Sequence, residues 1–141
     1  RIDMTTGVLG TNARQDPRQV SNTLKKTVNF NDAGIASGVA FDNSIPAGAF
    51  IIGCWVEVVT VFNAAATNVL VVGTTAAGTN IVAAGDVNEA ATGVTVVTRP
   101  LGRGLTAAAD ITPFVTYTQT GTAATTGQAV IVIEFEGGWA S

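Results

Sequence analysis

The chain has 141 residues, 47% of them hydrophobic and only 12% charged, with a net charge of −3 and no histidine. That length suits one domain with a full core, and the missing imidazoles remove Ser-His-Asp chemistry and ordinary histidine-bearing zinc sites. Charge at about half the usual quarter of residues is too sparse for a free-standing surface, so part of the exterior is expected to be covered in an assembly.

Thr and Val dominate. Both favour strands, because branching at Cβ stiffens χ1 and suits a pleated surface. Residues 1–23 show no apolar periodicity and read as an extended N-terminal arm; 24–141 read as a β-sandwich domain. The charge is uneven. Residues 1–26 carry Arg1, Arg14, Arg18, Lys25 and Lys26 against Asp3 and Asp16, a net +3, and residues 27–141 carry two arginines against eight acids, a net −6. A basic leader on an acidic body suits docking onto an acidic surface, its own or a partner's; the plain alternative is a solvated tail.

Leu24–Phe30 alternates and predicts a first strand. Asn31–Gly34 is a turn, and Ile35–Phe41 predicts a second strand softened by Gly38. Pro46 and Gly48 suit the second and fourth positions of a tight turn. The long strand after it, from Phe50 to Phe62, organises the chain. Alternation puts Phe50, Ile52, Cys54, Val56, Val58, Thr60 and Phe62 on one face, expected to be the core. The other face has Ile51, Gly53, Trp55, Glu57, Val59 and Val61. A strand apolar on both faces is covered on both, so Trp55, Glu57 and Val59 are candidates for contact with another subunit.

Val69–Val72 predicts a short buried strand, and 81–91 is open between helix and loop: alanines allow a helix, and Gly85 and Asn88 weigh against it. Val94–Thr98 is a strand, 99–104 a loop or bulged edge, Ile111–Thr120 a strand with Pro113 near its start, and Gln128–Glu136 the last. About eight strands with turn signals between them predict an all-β, jelly-roll-like β-sandwich.

Chemistry is thin. Cys54 reads as a small buried hydrophobe. The fragment 102–107 superficially fits a dinucleotide fingerprint without the flanking βαβ pattern, so Arg103 is better read as an exposed contact residue. Glu134 and Glu136 lie about 7 Å apart on one strand face; such pairs can hydrolyse glycosides, but edge-strand charge that blocks unwanted pairing explains them better. Asp86, Asn88 and Glu89 do not make a full calcium loop. Trp139 can anchor an interface or simply pack a chain end. No apolar run approaches the ~20 residues of a membrane helix, and basic residues without interleaved aromatics argue against nucleic acid. The expectations are therefore no catalytic site, no metal, no cofactor, no small-molecule substrate, no nucleic acid and no membrane.

The texture of motifs adds a resemblance. IPAGA after Phe41, a long V-x-V strand ending in Thr60-Val61-Phe62-Asn63, VLVVGTT, and the late TQTGTAATTGQAVIVIEFE resemble the β-sandwich decoration, or cement, proteins of tailed-bacteriophage capsids. The resemblance covers about residues 25–137 and has no catalytic residues to carry over. It implies a homotrimer on the capsid exterior that clamps adjacent major capsid protein subunits, with the arm gripping the shell. On that basis Arg14, Arg18, Lys25, Lys26, Arg103 and Trp139 are expected to touch the capsid. A carbohydrate-binding or head-fibre module, using Trp55, Tyr117 and Trp139 as exposed aromatics, is the alternative.

Overall fold

The computed structural model describes residues 21–97 and 109–136. They form seven strands and no helix: β1 Ser21–Asn29, β2 Val39–Ala40, β3 Phe50–Thr60, β4 Thr67–Gly73, β5 Gly93–Val96, β6 Phe114–Thr120 and β7 Gln128–Glu136. Every ladder is antiparallel. One sheet has four strands in the order β1-β7-β3-β5, the other three in the order β2-β6-β4. The class is the expected all-β sandwich, with the long strand inside a sheet and the first strand paired to the last.

The core lies between the sheets. From the four-stranded sheet it takes Leu24, Val28, Ile51, Cys54, Val56, Val58, Ala129, Ile131, Ile133 and Phe135; from the other, Leu70, Val72, Val115 and Tyr117. Burying a Val or Ile side chain this fully stabilises by about 1.5–3 kcal/mol each. Phe62, just past β3, stacks on Tyr117 with ring centroids 4.6 Å apart.

The long strand departs from simple alternation. Ile51 pairs with Phe135 and Gly53 with Glu134, so Ile52 is an extra residue, and a second shift falls at Val59. A β-bulge reverses which side chains face the core. Ile51 is therefore inside, and Phe50, Ile52 and Thr60, expected inward, are exposed. Beyond the first bulge, Cys54, Val56 and Val58 point inward as expected.

Several local expectations change. The turn before β3 closes with Ala49 N–H donating to the Pro46 carbonyl at 3.2 Å, which makes Gly48, at φ +82°, its third residue rather than its fourth. The expected strand 35–41 shrinks to Val39–Ala40, because the Ser37 and Gly38 amides turn back to the Gly34 carbonyl. The 81–91 segment is turns, not helix. It covers the free edge of β4: Val72 exchanges backbone hydrogen bonds with Val82 at 2.9–3.0 Å, and the Leu70 amide donates to the buried Glu89 carboxylate at 2.7 Å. A carboxylate thus stands where a neighbouring strand's carbonyl would. Finally, β7 lies between β1 and β3, so Glu134 and Glu136 are not guards of a sheet edge.

Candidate interaction surface

The register defines the outward face of the four-stranded sheet row by row. Lys25, Val132, Trp55 and Val96 form one row across β1, β7, β3 and β5; Thr27, Val130, Glu57 and Val94 form the next. Thr23, Glu134 and Gly53 continue it along the strands. The Trp55 indole lies back over Gly53, where an added Cβ would meet its Cη2 at 3.2 Å. A glycine at 53 lets the ring lie flat along the sheet rather than stand out from it.

This face is apolar and open. Phe50, Ile52, Val59, Val94 and Val96 are 44–61% exposed, and they are the large exposed hydrophobics among the described residues. All five belong to β3 and β5. The expected contact residues Trp55, Glu57 and Val59 lie on this face, with Trp55 half-buried and the other two exposed. Sequence reasoning missed Val94, Val96, Phe50 and Ile52 as members. Period-two alternation assigned the last two to the core, and the bulge that turns them out has no mark in the sequence beyond Gly53.

The lysines divide. Lys25 is exposed on the outer face. Lys26 points the other way, in register with the buried Ile131, and its ammonium pairs with Asp42 at 3.2 Å. An inward-facing charge on an edge strand discourages further strand pairing, which gives Lys26 a local role of its own. Arg14, Arg18, Arg103 and Trp139, and the glycine-rich fragment 102–107, lie outside the described residues.

The remaining polar groups are structural. Tyr117, a candidate exposed aromatic, is buried. Its hydroxyl donates to Asn68 Oδ1 at 2.5 Å, and burial, with the Glu89 carboxylate adding to it, pushes the phenol pKa up. Trp55 is therefore the one of the three proposed sugar-stacking rings that the described residues place at the surface. Burial pushes the Cys54 thiol up to about 12, which leaves it protonated and inert at neutral pH. Asp86 accepts a hydrogen bond from the Ala83 amide at 2.9 Å, and Asn88 Oδ1 accepts one from Ala90; among the described residues no three His, Cys, Asp or Glu side chains gather as a metal site. A shallow depression of about 370 Å³ lined by Ala66–Val69 and Asn88–Ala90 holds the buried Glu89 already engaged by Leu70.

What the geometry defines is an antiparallel two-sheet sandwich with one apolar face that none of the described residues covers. No protein-family model matches the chain, and no curated protein is similar to it. Among solved structures it is similar in fold to a chain of the cyanophage Pam1 capsid asymmetric unit, with a TM-score of 0.54 and 15% identity over 82% of this chain and 84% of that one.

Proposed function

We propose that this is a structural, non-enzymatic virion protein that binds the outside of a phage capsid and stabilises it, as a homotrimer clamping adjacent major capsid protein subunits. The fold shared with a chain of a cyanophage capsid, over more than four-fifths of each, carries the reading. The sequence resemblance to decoration proteins and the open apolar face support it. The mechanism is mechanical. A stiff sandwich bridges neighbouring subunits, the basic leader with Arg14 and Arg18 reaches across the shell, and many modest contacts on a lattice add through avidity. Arg103 and Trp139 extend that contact, and Lys26 contributes less, being engaged with Asp42.

The test is binding to purified phage capsids stripped of exterior proteins, with full-length protein and with residues 1–20 removed, which leaves β1 whole. Full-length protein is expected to saturate the capsids and raise their disruption temperature, and the truncated protein to bind at least tenfold more weakly. Absence of full-length binding defeats the proposal; undiminished binding after truncation defeats the role of the arm.

A further inference from the structure

We propose that copies of this chain associate through the outward face of the four-stranded sheet, with Trp55 as the apolar anchor and Lys25 of one copy set against Glu57 of the next. This deepens the reading above, on which it rests, by naming the face that joins the copies.

Three observations carry it. The large exposed hydrophobics of the described residues all fall on two adjacent strands of this one sheet, and an apolar sheet face is stable when another layer covers it. The second sheet does not share this need: its outward Val71 and Thr116 are buried, and the Ala77 amide of the chain's own 74–80 loop donates to Thr116 Oγ1.

The third observation chooses the occupant. The open face carries Lys25 on β1 and Glu57 on β3, in adjacent rows beside Val132 and Trp55. Among the described residues neither has an ion pair, whereas Lys26, one residue along, has Asp42. A uniformly basic partner would repel Lys25, and a uniformly acidic one would repel Glu57. Copies set around a threefold axis bring both signs on the same apolar ground, so Lys25 of each meets Glu57 of the next and the ring closes. Glu134 lies one row further along β7 and tilts the face acidic, which makes Lys25 the cation whose loss the association feels most.

Sedimentation velocity on the full chain across a concentration series reads the association, with a thermal melt as the check on folding. The natural protein is expected to be oligomeric, and Trp55→Asp, at a half-buried surface position, to be folded and monomeric. Lys25→Glu and Glu57→Lys are each expected to weaken association about threefold to tenfold, and the double variant carrying both to recover to within about twofold of the natural protein. A natural protein that stays monomeric at high concentration overturns the proposal, as does a folded Trp55→Asp oligomer. A double variant no better than either single one overturns the Lys25–Glu57 pairing. Binding to stripped capsids, measured in parallel, separates the two levels. Oligomers disrupted by Trp55→Asp but without affinity for any capsid refute the virion reading and leave this face as the self-contact. Capsid binding lost in Trp55→Asp with the oligomer intact assigns the face to the shell and refutes the self-contact.

Discussion

The two sheets turn very different backs to their surroundings. Behind the three-stranded sheet, Val71 and Thr116 face outward and are nonetheless buried, and the loop from Thr74 to Asn80 folds over Thr116. That flap is pinned by Ala77 N–H to Thr116 Oγ1 at 3.1 Å and braced internally by Asn80, which accepts from the Thr74 amide and donates to its hydroxyl. Further along, the exposed Thr67 and Thr120 hydroxyls bond each other across the strands at 2.7 Å. Behind the four-stranded sheet there is Trp55 with a border of valines, and none of the described residues folds across it. One face is covered by the 74–80 loop, and the other is covered by none of the described residues. The difference teaches that a sandwich can keep one sheet apolar on its outward side without disturbing the core both sheets share.

The comparison is broken most decisively by adding a charge to each side of the open sheet. Val56, inward on β3 and 1% exposed, and Val96, outward on the neighbouring edge strand β5 and 55% exposed, serve opposite faces of one sheet. Val56→Asp buries an uncompensated carboxylate, a cost of several kcal/mol against a total stability of about 5–15 kcal/mol, and is expected to leave the chain unfolded by circular dichroism. Val96→Asp is expected to melt within a few degrees of the natural protein. An unfolded Val96→Asp chain would mean that the open face is interior after all.

A middle-sized effect tests the covered face. An added Cβ at Gly73 would sit 2.4 Å from the Gly78 carbonyl carbon, so Gly73→Ala cannot coexist with the flap in place. Overpacking of this kind costs about 1–3 kcal/mol. The urea midpoint should fall accordingly, and protease cleavage within 74–80 should speed up. A midpoint unchanged in Gly73→Ala would show that the flap contributes nothing.

The smallest effect sharpens the same point. Thr116→Val keeps the side chain's shape and removes the acceptor for the Ala77 amide, a loss of about 0.5–1.5 kcal/mol. Hydrogen exchange should quicken at Ala77 and leave β3 and β7 unchanged. Exchange quickening over the whole sandwich would mean that the flap is part of the global unfolding unit rather than a cover on it.

Much of this was legible in the residues. Branched side chains and regular turn signals specify strands wherever they occur, since that preference is local. Six of the seven strands fall where the sequence placed them to within three residues at each end, and β7 matches residue for residue. Cys54, Val56 and Val58 were readable as core, and Trp55, Glu57 and Val59 as the opposite face, because nothing interrupts the period of two between the bulges. What local pattern could not supply was the partner of each strand. The bulge at Ile52 exists only because β3 must stay in register with β7 on both sides of it. It sends Phe50 and Ile52 outward and so enlarges the open face. Likewise nothing near Glu89 announces that its carboxylate will cap the amide of Leu70, 19 residues away, or that the 74–80 loop will close over Thr116. Strand identity is set by neighbours along the chain, whereas which face meets water is set by neighbours across space, and only the folded arrangement brings those together.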